Sequence, residues 1–427
     1  MKKELLSLSL MSALLSPTMG QNKMYVWQNG QAEVYEVANV DSVTFRKVNT
    51  DIEQDENAMP SDAKTLASKI VAGINIGNTL EAVGDWCGNL ETCWGASPVT
   101  QELLDAYKAA GFNAVRIPVS WHSHESNTQT FEIDPTWMAR IKQVVDYAMN
   151  DDLYVILNIH WDNGWLEKNC TKAKQADVNK EQAALWKQIA TTFRDYDEHL
   201  IFASANEPDA NNAEEASVLK SYHQTFVNTV RATGGNNALR NLIVQAPSTA
   251  IDKAIEYDVV PTDVVPNRMM MEVHFYPYTY ALMEEDADWG NCHYFWGSKY
   301  DNIVINGVNR SVGANGWCNE AYVNGEFAKM KSKYVDKLGM PVILGEYAVM
   351  NRDLKASGYQ QTFEESRAYY YEYVNREAKK SGLVPFLWET PGNIFNRGVD
   401  GNADCSVSNS VPLEGIMKGA KEGKYPF

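Results

Sequence analysis

Eight short apolar segments, separated by stretches with helical spacing, recur along the chain after residue 65, and this alternation limits the fold more than any other feature of the sequence. They are Ala72–Gly77, Ala114–Pro118, Tyr154–His160, Leu200–Asn206, Leu242–Ala246, Met270–His274, Val342–Glu346 and Val384–Trp388. Near-continuous apolar runs of this length suit strands covered on both faces, the environment of a parallel sheet. Between two of them, Asp134-Pro135 reads as an N-cap followed by a first-turn proline, and Trp137, Ile141, Val144, Val145 and Ala148 then recur on one helical face. Trp186, Ile189, Phe193 and Tyr196 repeat the pattern. Strand-then-helix units joined by right-handed crossovers predict an α/β fold, a closed (β/α)8 barrel over residues 65–427. An open doubly wound sheet is disfavoured, because no glycine-rich phosphate loop follows any strand and polar or aromatic residues gather at nearly every strand end.

Before residue 65 the composition changes three times. Lys2 and Lys3 precede the apolar run Leu5–Leu15 and then Ser16–Gly20, the pattern of a secretory signal. Residues 1–20 are therefore expected to be cleaved near Gly20 and the chain exported, to an extracellular or periplasmic location. The run is too short to span a bilayer, and no later segment is long enough. Residues 21–48 alternate in strand fashion around Asn29-Gly30, the signal of a small β-hairpin extension. Residues 49–64 carry Asp51, Glu53, Asp55, Glu56 and Asp62 and read as a solvated acidic linker.

Across the 427 residues, Lys+Arg of 38 against Asp+Glu of 55 gives a net charge of -17. Phosphate backbones and anionic membrane surfaces are repelled by such a chain, so nucleic acid is not an expected partner, and a monomer is. Among the six cysteines, Cys87 and Cys93 flank a short loop and Cys292 and Cys318 a longer aromatic one; both pairs are candidate disulfides, whereas Cys170 and Cys405 have no evident mates. No Cys-x-x-Cys or His-x-x-x-His spacing appears, so no metal or other cofactor is expected.

Two strand ends carry the chemistry. The strand Leu200–Ala205 is followed by Asn206 and Glu207, and Pro208 forbids the ladder from continuing; Val342–Leu344 is followed by Gly345, which admits a close backbone, and then Glu346. A pair of carboxyls presented at the carboxyl ends of two barrel strands suits glycosidic bond cleavage, in which an acid protonates the leaving oxygen while a carboxylate attacks the anomeric carbon. Around them, in register at other strand ends, stand Arg116, His160, His274 with Tyr276, and Trp388.

These residues, with Gly77-Asn78-Thr79-Leu80 at the first strand, closely resemble glycoside hydrolase family 5, a family of β-1,4-glucanases, mannanases and related enzymes. The likeness runs from about Ile70 to the C-terminus. It is greatest to the endoglucanase, xyloglucanase and mixed-linkage glucanase branch, given Trp121, Ile133-Asp134-Pro135 and Val230–Asn236. The resemblance implies a secreted, cofactor-independent retaining endo-β-1,4-glucanase acting on a β-linked polysaccharide or oligosaccharide. Glu207 would be the general acid/base and Glu346 the nucleophile, the latter kept ionised by Arg116 and the Tyr276 hydroxyl. Asn206 would bind the sugar 2-hydroxyl, His160 and His274 would hold hydroxyls and orient the carboxylates, Trp388 would stack beneath a sugar ring, and Asn78 and Trp161 would complete the binding surface. A non-catalytic carbohydrate-binding surface protein on the same barrel is the reading from another class; two adjacent carboxylates argue against it, since a pure binder gains little from their repulsion.

Two departures from the family pattern bear on substrate: Trp161 stands where many relatives carry a second histidine, and Glu389-Thr390-Pro391-Gly392 follows Trp388 where Asp-Asn-Gly is common. His122 and His124 follow the second strand and could reach the cleft; His199 and His223 receive no role. The long connection from His274 to Glu346 is rich in aromatics, and Trp296 and Trp317 within it are expected to build sugar subsites.

Overall fold

The computed structural model describes residues 23–28, 31–36, 55–284, 290–398 and 403–427. The segment assigned to a secretory signal lies outside these residues. Two units are present, residues 1–48 and 49–427. In the first, Lys23–Gln28 pairs antiparallel with Gln31–Glu36, as the alternation predicts, while the Asn29-Gly30 turn lies outside the described residues.

The second unit is a closed barrel of eight parallel strands in which each strand pairs with the next in sequence and the last with the first. We label them β1 (Gly73–Asn75), β2 (Ala114–Ile117), β3 (Tyr154–Asn158), β4 (Leu200–Ala203), β5 (Leu242–Gln245), β6 (Met269–His274), β7 (Val342–Tyr347) and β8 (Leu383–Leu387). Every residue of β2, β3, β4, β5, β7 and β8 is buried, because the barrel interior covers one face and the helices the other. The helix Pro135–Asn150 begins as its sequence dictates: the Asp134 carboxylate accepts from the N–H groups of Thr136 at 2.7 Å and Trp137 at 3.3 Å, and Ile141, Val144, Val145 and Ala148 face inward.

The apolar core has two layers. The outer one lies between strands and helices. The inner one fills the barrel with Ile156, Ile201, Ile243, Met270, Ile343, Val384 and Phe386, and is joined by Ala63, Leu66, Ala67 and Ile70 of the short helix Ala63–Lys69. That helix explains why the acidic segment 49–64 is not solvated throughout. From Met59, which is 1% exposed, the chain belongs to the barrel; the Ser61 N–H donates to Glu198 at 2.8 Å, and Asp62 caps the helix.

The connection from β6 to β7 departs from expectation in two ways. Its aromatics are largely buried against residues that follow β7: Met283, Cys292, Tyr294, Phe295, Tyr300 and Ile305 form a satellite core with Leu354 and Phe363, and Trp296 packs on Tyr369, Tyr370 and Tyr373, fully buried with its indole N–H donating to the Cys318 carbonyl at 2.7 Å. Trp296 is thus a core residue rather than a sugar platform, whereas Trp317 is 51% exposed. Cys87 and Cys93 form a disulfide, but Cys292 and Cys318 are buried free thiols. The satellite core holds Cys292 and the outer barrel core holds Cys318, so burial in separate clusters keeps their sulfurs apart.

Candidate active site

The carboxyl ends of the strands bring together most of the residues singled out in the sequence. Arg116, on β2, is fully buried and links three strands. One Nη donates to Asn75 at 3.0 Å and to Glu346 Oε1 at 3.1 Å, the other Nη donates to Asn206 Oδ1 at 2.8 Å, and Nε lies 3.0 Å from Glu272 Oε1. The Tyr276 hydroxyl donates to Glu346 Oε2 at 2.9 Å. His274 sits between the acids: Nδ1 is 2.6 Å from Glu207 Oε1 and 3.7 Å from Glu346 Oε2, and Nε2 is 3.3 Å from Glu272 Oε1. One oxygen from Glu207, one from Glu346 and one nitrogen of His274 all lie within 4.8 Å of one another.

Local backbone makes this possible. Pairing of β6 with β7 shifts register between Val273 and His274, so that His274 pairs with Glu346 and both side chains come to the same rim. Gly345 is required there, because a Cβ at that position would stand 2.0 Å from Glu272 Oε1.

His160 stacks on Trp388, ring centroids 5.7 Å apart and 8° from parallel, and Asn158 holds its Nδ1 at 3.2 Å. Burial, aided by the charges of Arg116 and His274, holds His160 well below the ordinary imidazole range, so it is neutral. Asn78, left-handed at φ 63°, and half-buried Trp161, whose ring carries Lys168 Nζ at 5.2 Å, stand after β1 and β3.

The two carboxyls are shifted in opposite directions. Burial raises Glu346, and the opposing charges of His274 and Arg116 do not cancel that rise, to which the charge of Glu207 adds. Burial also acts on Glu207, but the His274 hydrogen bond and the charges of His274 and Arg116 outweigh it and hold that carboxyl below its usual range. The difference lies in the imidazole, which hydrogen-bonds Glu207 directly at 2.6 Å and reaches Glu346 only at 3.7 Å. His274 itself is driven up to about 10, its burial overcome by Glu346, Glu207 and Glu272. The mobile proton of the resting site therefore resides on His274.

Several supporting residues escaped the sequence reading. Glu272, fully buried, carries the counter-charge for Arg116 and accepts from Gln245 at 2.6 Å. A charge two positions before His274 in an apolar strand must share its face, and that signal was present. Glu167 accepts from the Glu207 N–H at 2.6 Å, fixing the acid's backbone; burial pushes its carboxyl up to about 7. It opens the short 3-10 turn Glu167–Asn169 and gave no signal. Glu389, part of the departure from the family pattern after Trp388, is fully buried and accepts from the N–H groups of Ile394 and Phe395 at 3.1 and 2.9 Å. It closes its own loop. His223 is held between Ser204 Oγ and the Gln245 carbonyl beneath the site, a satisfied core histidine.

A parallel barrel that mounts paired carboxyls on its β4 and β7 ends, with a buried guanidinium between them, defines a barrel glycoside hydrolase. Comparison narrows that class. The family described as Cellulase (glycosyl hydrolase family 5) matches residues 80–393. The xyloglucan-specific endo-beta-1,4-glucanase BoGH5A of Bacteroides ovatus is 36% identical over 371 residues, covering 83% of this chain and 69% of that one. Endoglucanase A of Paenibacillus barcinonensis is 35% identical over 389 residues, covering 84% and 90%. Among solved structures, XEG5B, a xyloglucan-specific beta-1,4-glucanase from a ruminal metagenomic library, in complex with XXLG, superposes with a TM-score of 0.76 at 39% identity, covering 86% and 98%. The chain belongs to glycosyl hydrolase family 5 and is a glycoside hydrolase.

Proposed function

We propose that this glycoside hydrolase is a secreted retaining endo-β-1,4-glucanase, cleaving internal β-1,4 bonds of plant cell-wall glucans by double displacement with Glu207 as general acid/base and Glu346 as nucleophile. The observation that carries this reading is the approach of the two carboxyls, an oxygen of each lying within 4.8 Å of the other. Retaining pairs stand about 5–5.5 Å apart and inverting pairs roughly 6.5–9.5 Å apart, the larger gap being needed for an intervening water. At the short spacing Glu346 attacks C1 itself while Glu207 gives its proton to the departing oxygen. In the second half, Glu207 takes a proton from water, the water oxygen bonds to C1, and the ester to Glu346 breaks.

His274 reconciles this cycle with the resting protonation order. A sugar seated over Glu207 strips water from a half-exposed carboxyl and raises its proton affinity. The proton held on His274 Nδ1 then passes along the 2.6 Å hydrogen bond to Glu207, and Glu346 is left ionised beside Arg116 and Tyr276. Asn206, whose oxygen is taken by Arg116, keeps amide hydrogen for the sugar 2-hydroxyl; His160 and Trp388 form a stacked wall for the ring, and Asn78 and Trp161 extend it. Export agrees with the signal-like N-terminus, with the Cys87–Cys93 disulfide, and with a substrate too large to enter a cell.

Reducing-end release from unbranched glucan, mixed-linkage glucan, xyloglucan and mannan tests both mechanism and substrate. Glu346→Ala should lose on the order of 10³-fold or more on every glycan. Glu207→Ala should be rescued on aryl glycosides with good leaving groups, which need no proton. Equal release by wild type and Glu346→Ala would overturn the mechanism. A second reading, preference for a branched glucan backbone, is favoured by the names of two of the relatives above; a higher kcat/KM on xyloglucan than on unbranched glucan would establish it.

A further inference from the structure

A second group of one imidazole and two carboxylates lies on the rim beside the cleft. His122 follows β2, Glu125 opens the short ribbon Glu125–Asn127 paired with Glu132–Ile133, and Glu181 projects from the helix Gln175–Thr192. One ligand atom from each lies within 4.8 Å of the others. His122 Nδ1 is 2.6 Å from Glu181 Oε1 and 3.9 Å from Glu125 Oε1.

Glu125 is the residue that demands an explanation. Its side chain is 1% exposed, and neither carboxylate oxygen has a hydrogen-bond partner. Among the described residues no lysine or arginine pairs with Glu125 or Glu181; His122 is their one ion-pair partner. Burial, reinforced by the charge of Glu181, lifts the Glu125 carboxyl to about 7. A buried carboxylate with both oxygens unmet is strongly disfavoured unless a cation or a proton meets it. Asp162 cannot release the strain, for its oxygens are committed to the N–H groups of Trp121, His122 and Ser123 and to the Ser123 hydroxyl. Instead it fixes the turn that presents His122, whose ring also stacks on Trp165 at 5.8 Å.

We propose that His122, Glu125 and Glu181 bind a divalent transition-metal cation of the zinc class, apart from the reaction centre. An imidazole nitrogen with two carboxylates is a zinc-type donor set, whereas calcium and magnesium prefer oxygen alone. Ligands at roughly 2.1 Å from a tetrahedral ion stand about 3.4 Å from one another. The 2.6 Å contact must therefore open by about 0.8 Å and the 3.9 Å contact close by about 0.5 Å, with the cation replacing the proton shared by His122 and Glu181. Three protein ligands leave a fourth position for water, and His122, its side chain 37% exposed, gives the entry path. A bound cation would tie the loop after β2 to the helix Gln175–Thr192.

The test uses the full chain stripped with EDTA and titrated with zinc chloride and, separately, calcium chloride by calorimetry, with cobalt(II) absorption as a spectroscopic check. One equivalent of zinc should bind, raise Tm, and bind at least tenfold more weakly to Glu125→Gln, while calcium binds weakly. Glu346→Gln should bind zinc as wild type does, which separates this group from the similar one at the reaction centre. If Glu125→Gln fails to fold, Glu181→Gln gives the same readout. No zinc binding, unchanged affinity in both rim variants, loss of binding in Glu346→Gln, or calcium bound as tightly as zinc would each overturn the assignment.

Discussion

The reaction centre and the rim of this barrel hold groups of the same composition, an imidazole and two carboxylates with donor atoms within 4.8 Å, yet the protein treats their charge in opposite ways. At the centre, Arg116 is wholly buried and touches Glu346 and Glu272, and the Tyr276 hydroxyl satisfies the remaining Glu346 oxygen. With a permanent cation in place the carboxylates need no metal, and the mobile charge left over is a proton that can travel from His274 to Glu207. At the rim no guanidinium among the described residues is supplied, and neither Glu125 oxygen accepts a hydrogen bond from them. Fixed compensation makes a proton-transfer site; its omission makes a cation site.

The largest test of that contrast removes the fixed cation. Arg116→Met should leave Glu272 buried and uncompensated, lowering stability by about 3–5 kcal/mol. Loss of the charge and hydrogen bonds to Glu346 and Asn206 should lower kcat/KM by roughly 10³-fold. Steady-state kinetics with thermal unfolding measures both, and a variant near wild type in both respects would break the comparison at its root.

Next in size is the mobile proton. The folded pKa of His274, about 10, lies above the ordinary 6.5, so its contribution to stability is complete below pH 6.5 and is lost as pH rises from there toward 10. The stability gap between wild type and His274→Gln should therefore shrink across that window, by up to several kcal/mol, and kcat/KM of the variant should fall by ~10–100-fold. A gap independent of pH would show that His274 does not carry the proton.

At the rim the sign reverses. In metal-free protein, Glu125→Gln removes an unmet buried charge and should stabilise by about 1 kcal/mol, seen as a small rise in Tm. Destabilisation in EDTA would mean that Glu125 has a partner and would erase the contrast. The smallest effect belongs to a site outside both groups: Trp317→Ala, at a half-exposed ring, should change stability by less than ~0.5 kcal/mol in denaturant titration.

Much of the proposed site was legible because a parallel barrel brings strand-end residues together, where an apolar run breaks into polar residues. Arg116, His160, Asn206, Glu207, His274 and Glu346 all announce themselves that way. The strand ends were overrun by two residues at His160 and three at Asn206, because side chains that face the cleft follow residues still reading as strand. Glu167 and the rim group were not legible, since their residues meet from loops and a helix tens of positions apart, and no spacing rule for metal ligands applies across separate elements. Trp296 was misread for a related reason: an aromatic looks alike in sequence whether it faces sugar or core.

By itself the chain's alternation of buried strands and amphipathic helices determined the barrel and the rim on which the chemistry stands, because period and burial are local properties of a sequence. Tertiary structure alone decided where charge is compensated, which cysteines meet, and which side chain holds the proton. Those outcomes depend on distances of a few ångströms between residues far apart in the chain and on how much water reaches them, and neither quantity is written in local order.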